Sequence, residues 1–168
     1  MDTSTQEAEV VMALTPDDLR EYLLARESPA ELVPAAKPTP TAKAAAKALG
    51  VPEGAIAKSL LVNVDGGFVL AVAPGDRRVD LPRVAALVGG AKKVRMANAQ
   101  EVEAHTGFLP GGVPPVGHLT PLPLLLDSSL LYRVEVYAGG GDDRTMLRIS
   151  PLEILRLTGG KTGSFTAP

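Results

Sequence analysis

The chain has 168 residues, enough for one domain with a sizeable core, and its 45% hydrophobic and 21% charged residues are the balance of a soluble globular protein. A net charge of −2 gives no general electrostatic grip on long nucleic acid, although local basic clusters could still touch a short RNA end. With no cysteine, disulfides and thiolate chemistry by the protein itself are excluded. Two histidines cannot build a histidine-rich metal site, and no apolar run reaches membrane-spanning length.

Residues 1–14 read as a flexible tail, polar and acidic up to Glu9, without the basic-then-apolar order of a signal peptide. Residues 15–160 read as a single domain and 161–168 as a frayed C-terminal tail. Thr15-Pro16-Asp17-Asp18 predicts a helix start, with Thr15 as N-cap, and Ser28-Pro29 its end. Residues 31–40 are proline-broken, with room for a short edge strand. The alanine-rich stretch from Thr41 to Leu49 predicts a second helix, capped by Gly50.

Ile56 to Val64 and Phe68 to Ala73 read as strands joined by Asp65-Gly66-Gly67, a hairpin signal. Strict alternation puts Lys58 on one face with Leu60, Val62 and Val64, the more apolar set. Asp80 predicts a helix cap, Lys92 to Met96 a short strand, and Asn98 with Glu101 a capping box for a helix closed by Gly107. Leu122 to Leu126 is an apolar run. Tyr132 to Ala138 and Thr145 to Ile149 read as a hairpin, turned by Gly139-Gly140-Gly141-Asp142-Asp143. Ser150, Pro151 and Glu153 start a last helix, followed by Gly159. About six or seven short strands interleaved with five short helices predict a mixed α/β fold.

The stretch from Gly107 to Pro121 stands apart, with four glycines and four prolines among its fifteen residues. That density forbids helix or central strand. Yet Phe108, Leu109, Val113, Val116 and Leu119 give it something to bury, so it is not a linker. Two readings fit: a packed surface loop, or a stiff loop whose bare N–H groups at Gly111-Gly112 hold an oxyanion, phosphate or ribose. Lys58 likewise either snorkels to the rim of its strand or holds charge at the mouth of a pocket. His118 is a hydrogen-bonding strut or a general base. Arg77, Arg78, Arg83, Lys92, Lys93 and Arg95 form a solvated surface or flank an RNA end. The chain has no G-x-S-x-G elbow and no Walker motif; Gly159-Gly160-Lys161-Thr162 follows a helix instead of preceding one.

Taken together, Ala48-Leu49-Gly50-Val51-Pro52, Ile56-Ala57-Lys58-Ser59-Leu60, Thr106-Gly107-Phe108 and Gly111-Gly112-Val113-Pro114-Pro115-Val116-Gly117 resemble the YbaK / prolyl-tRNA synthetase-associated editing family. Leu126-Asp127-Ser128-Ser129-Leu130 and Val136-Tyr137-Ala138-Gly139-Gly140-Gly141 extend the resemblance over most of the chain. It implies a compact domain around a barrel-like mixed sheet, with a pocket between a strand lysine, here Lys58, and a Gly-x-x-x-Pro loop, here Gly111 to Pro115. The implied activity is metal-independent hydrolysis, without a cofactor or protein nucleophile, of the ester linking a wrong amino acid to tRNA, of the Cys- or Ala-tRNA-Pro type. The implied catalytic residue is Lys58. Gly111, Gly112, Val113, Pro114, Pro115, Gly117 and His118 are the implied substrate-binding residues. The acceptor end of an aminoacyl-tRNA is the implied partner, with an aminoacyl-tRNA synthetase as a further one, in the cytoplasm and away from membranes. The alternative is a non-catalytic module binding aminoacyl-tRNA, a nucleotide or a protein through the same pocket. The helix after Thr41 departs from the family pattern, carrying Lys43 and Ala44 where acids are usual.

Overall fold

The Asp65-Gly66 turn organises the sheet. Strand β2 (Ile56–Val64) pairs antiparallel with β3 (Gly67–Pro74) along nearly its whole length, from Ala57↔Pro74 to Val64↔Gly67. Asp65 and Gly66 both take positive φ, as a tight two-residue hairpin turn requires. The computed structural model describes residues 12–90 and 92–168.

Around this hairpin the main sheet runs β1 (Glu31–Pro34), β8 (Thr145–Ile149), β7 (Val136–Asp142), β2, β3, β6 (Leu124–Asp127) and β9 (Lys161–Gly163). The β7–β2, β3–β6 and β6–β9 pairs are parallel and the others antiparallel, so the sheet is mixed and curls into a half-barrel. Short β5 (Val94–Met96) pairs with the end of β2, and β4 (Arg78–Val79) pairs with β10 (Thr166–Ala167) as a separate ribbon.

Five α-helices flank the sheet among the described residues: α1 (Pro16–Ala25), α2 (Ala42–Leu49), α3 (Leu81–Leu87), α4 (Ala99–Thr106) and α5 (Pro151–Thr158). Each starts where a polar cap predicts it. Thr15, Thr41, Asp80, Asn98 and Ser150 accept from first-turn N–H groups through their side chains. Asn98 and Glu101 form the reciprocal capping box.

Both faces of the central hairpin are buried. Ala57, Leu61, Leu70 and Val72 pack with Leu19, Phe108, Val116 and Ile154 into the main core. Val62, Val69, Ala71 and Ala73 pack with Val84 and Phe165 on the other side. Ile56 joins Ala45, Ala46 and Met146 under α2.

Three expectations need correction. The 132–138 strand starts later and runs further, as β7, and its turn is residues 143–144, with the Asp142 carboxylate accepting from the Arg144 N–H at 2.9 Å. The glycine run is therefore strand. Turn chemistry does not explain it; close backbone approach does, because a Cβ on Gly139 would collide with the Val113 carbonyl. The C-terminal tail is not frayed: residues 161–163 and 166–167 are strands, and Phe165 is completely buried. At the other end, residues 1–11 of the expected tail lie outside the described residues. Leu14 is fixed, donating its N–H to the Gly107 carbonyl at 2.8 Å and packing on the main core.

Candidate active site

Strand β2 has partners along all of one edge and only the ends of the other. Its ladder with β7 ends at Ala57↔Ala138, and its ladder with β5 begins at Val62↔Met96. Between them the only further main-chain tie outside the ladders among the described residues is the Leu61 carbonyl, which accepts from Ala97 N–H at 2.9 Å. A cleft of about 360 Å³ opens at this gap. Its floor is the stretch from Ile56 to Leu61. One wall is the start of α2 with Thr39 and Pro40, and another is Met96, Ala97 and Val102. The Gly/Pro loop closes the third side with Pro110, Gly111 and Val113, backed by Gly139 and Met146.

Main-chain groups of a strand point to alternate edges with period two. Because Leu61 presents its carbonyl to the open edge, Ser59 presents its N–H and carbonyl there too. The Ser59 hydroxyl is buried and has no hydrogen-bond partner, which no other buried side-chain polar group among the described residues shares. An unpaired buried hydroxyl costs about 1–3 kcal/mol. Ser59 lines the cleft, so a bound group can remove that cost.

Lys58 is the single charged residue among those lining the cleft. It is half-buried, and its Nζ donates to the Arg77 carbonyl at 2.6 Å. Burial pushes its ammonium below the ordinary lysine value, and the carboxylates of Asp76 and Glu53 pull the other way. An ammonium has three donors. One is committed to Arg77, which leaves two for a ligand.

The Gly/Pro loop is stitched shut at its neck. Leu119 N–H donates to the Thr106 carbonyl at 2.9 Å, and the Thr106 hydroxyl accepts from Phe108 N–H at 3.1 Å. Phe108 and Val116 reach the main core with no exposed surface, which anchors both limbs. The tip then lies on β7: Gly141 N–H donates to the Gly112 carbonyl at 2.9 Å, and a Cβ on Gly112 would come within 2.7 Å of Asp142 Cα.

The structure therefore brings Lys58, Gly111 and Val113 together at one cleft. It places the other expected residues behind it. Gly112, Pro114 and Pro115 are buried in the loop's own packing, and Gly117 sits against Leu19 and Tyr22. His118 is bonded through Nε2 to the Pro114 carbonyl at 2.6 Å. A carbonyl only accepts, so Nε2 carries the proton. Burial holds the His118 imidazole below the ordinary histidine value, opposed by that hydrogen bond. Ser59, Thr39 and Thr41 are lining residues the sequence did not single out. A serine between Ala57 and Leu61 on a core-facing register was the available signal. Of the basic residues, Arg95 pairs with Glu101 at 2.7 Å and Arg83 with Asp80 at 3.4 Å, while Arg77 is tied to Thr166. Among the described residues no three histidine, aspartate or glutamate side chains gather as a metal-holding group.

Comparison with known proteins identifies the family and the fold. The model of the aminoacyl-tRNA editing domain matches residues 36–157. An Enterococcus faecalis protein provisionally named the Cys-tRNA(Pro)/Cys-tRNA(Cys) deacylase EbsC is 32% identical over 127 residues, covering 75% of this chain and 77% of that one. The proline–tRNA ligase of Streptomyces coelicolor is 34% identical over 108 residues, which are 64% of this chain but only 18% of the ligase. The crystal structure of a trans-editing enzyme provisionally assigned to prolyl tRNA synthetase superposes with a TM-score of 0.83 at 40% identity, covering 91% of this chain and 97% of that one. By fold, by the match over residues 36–157 and by these relatives, the chain belongs to the aminoacyl-tRNA editing domain family.

Proposed function

We propose that this protein is a trans-acting deacylase that hydrolyses the ester between a wrong amino acid and its tRNA, of the Cys- or Ala-tRNA-Pro type. The observation that carries this reading is the open edge of β2. It brings Lys58, an unpaired hydroxyl and free main-chain groups to one cleft, facing the Gly/Pro loop. The comparisons support editing chemistry in general. The choice of amino acid and tRNA is ours.

In the reaction, water attacks the ester carbonyl carbon, charge builds on the carbonyl oxygen, and the bond to the ribose oxygen breaks. That ribose oxygen takes up a proton as the amino acid leaves. The cleft's task is to hold the ester and the developing oxyanion. The two free donors of Lys58 serve as a fixed positive charge for an ester oxygen or the neighbouring phosphate. The Arg77 carbonyl only accepts, so Nζ keeps a proton directed at it and the side chain acts here as donor and charge, while burial lowers its pKa from the ordinary lysine value. The N–H of Gly111 and the Ser59 hydroxyl orient the aminoacyl group, and Val113, Met146 and Ala45 limit its size. Shape alone separates neighbouring aliphatic side chains by only about tenfold to a few hundredfold, so several small amino acids should compete. With a cysteinyl substrate, the substrate's own thiol is an alternative nucleophile. It would release the tRNA as the cyclic thioester forms.

The deciding experiment is deacylation of tRNA-Pro charged with alanine, cysteine or serine, by the wild type and by Lys58→Ala. At least one member should turn over above buffer, and Lys58→Ala should lower that rate by about 10²–10³. If tRNA binds but no member turns over, the protein is a binding module and the deacylase reading is lost. Full activity in Lys58→Ala removes the lysine from the site.

A further inference from the structure

The lysine that carries the proposed chemistry makes one hydrogen bond among the described residues, and its acceptor is a main-chain carbonyl outside the main sheet. Arg77 lies between the end of β3 and the two-residue strand β4. The side chain of the same residue is bound to the far end of the chain. Arg77 Nε donates to the Thr166 hydroxyl at 2.7 Å, and its Nη2 to the Thr166 carbonyl at 3.4 Å. The Thr166 hydroxyl donates in turn to Asp127 Oδ2 at 3.0 Å, and the other oxygen of Asp127 accepts from Phe165 N–H at 3.0 Å. Asp127 is 2% exposed, and its Oδ2 accepts also from the Ser129 N–H and hydroxyl. The line from the ammonium to the buried end of β6 is thus continuous: Lys58, Arg77, Thr166, Asp127.

The main chain follows the same route. Strand β4 has one partner, β10, in register Val79↔Thr166 and Arg78↔Ala167, and the Phe165 carbonyl accepts from Asp80 N–H at 2.8 Å. The peptide plane that aims the Arg77 carbonyl at Lys58 is therefore held on its C-terminal side by residues 165–167. Phe165, completely buried against Val69, Ala71 and Val84, pins those residues down.

We infer that strand β10, through Thr166 and Arg77, positions the Lys58 ammonium in the cleft. This rests on the reading of Lys58 as the working charge of the site. Thr166 and Arg77 are positioning residues, which touch the lysine or its holder and not the substrate. A long lysine side chain has many rotamers, and productive geometry requires that one be selected. Here that selection is made by residues distant in sequence from both the lysine and the loop.

The test uses Thr166→Val, which keeps the shape and the β10–β4 ladder but deletes the hydroxyl, and Thr166→Ser, which restores it. Two readouts are taken on the full chain: competitive acetylation of individual lysines followed by peptide mass spectrometry, and kcat and KM on the charged tRNA-Pro that the wild type hydrolyses fastest. In Thr166→Val, acetylation of Lys58 should rise roughly threefold relative to Lys93 and Lys161, the effect of losing one hydrogen bond's worth of restraint. The kcat should fall about tenfold with KM near wild type, as misplacement of a catalytic group predicts. Thr166→Ser should reverse both. Unchanged Lys58 labelling in folded Thr166→Val overturns the inference, as does an unchanged kcat or a kcat lost only in step with melting temperature. If Thr166→Val does not fold, Arg77→Met, which retains the carbonyl and removes the guanidinium, is held to the same outcomes. Should Lys58→Ala leave turnover intact, the reading of the site fails, while the labelling still decides whether β10 positions the lysine.

Discussion

Two irregular stretches, the Gly/Pro loop at 107–121 and residues 161–168, exchange roles between sequence and structure. The loop draws attention by its composition, and most of it is scaffold: Phe108 and Val116 are in the core, and His118 braces Pro114. Only Pro110, Gly111 and Val113 reach the cleft. The C-terminal segment looks like a frayed end, yet it holds the residue that holds Lys58. Glycine and proline report where the backbone must bend. They do not report which bent segment meets a ligand. An end with one buried aromatic and two short ladders can be as ordered as any loop, because burial of a large ring outweighs the missing hydrogen bonds of a frayed strand.

This contrast can be broken by substitution. The largest effect belongs to the C-terminal segment. Phe165→Ala empties a fully buried ring site and should cost about 3–5 kcal/mol, read by denaturant unfolding. A loss under about 1 kcal/mol would mean that the segment is only loosely docked. Next comes the tip of the loop. Gly112→Ala drives a Cβ into the main chain at Asp142, so the loop must lift from β7, at a cost of about 1–3 kcal/mol and with loss of deacylation. Wild-type turnover in this variant would separate the loop from the cleft.

The smallest effect is at His118. Its imidazole is held below the ordinary histidine value by burial, so the unfolded chain binds its proton first. Stability should therefore be full above the ordinary histidine value and decline as pH falls through and below it, levelling off at the lower folded value. In His118→Gln that part of the pH dependence should disappear, while kcat keeps the pH profile of the wild type. A matching change in the activity profile would return His118 to the chemistry.

Much of the frame was legible because its signals are local. The Asp65-Gly66 hairpin, the five polar caps and the alternation of β2 each depend on a few adjacent residues. Lys58 and Gly111 were legible through the family resemblance. The open edge of β2 was not, because it arises from where β7 stops and β5 starts, two ladders formed with distant segments. For the same reason Ser59 stayed hidden: a serine in a strand is ordinary until its neighbours fail to pair with it. The glycine run at 139–141 misled because a local turn and a distant loop pressing on a strand leave the same residues behind. In the KTGSFTAP ending only Phe165 is large and apolar, too little alternation to read as strand.

The glycine-to-loop contact also bears on how this cleft can change over evolutionary time. Where Gly139 and Gly141 meet Gly112 and Val113, peptide rests on peptide, with no side chain between. At that contact there are no rotamers to adjust and no side chain to enlarge or trim. Changes in the shape of the cleft are therefore more readily written on the opposite side, at Thr39, Thr41, Ala42 and Ala45, which line the same space. One wall acts as a gauge block and the other as the adjustable jaw, which makes the α2 side the place to look when relatives with the same loop differ in what they accept.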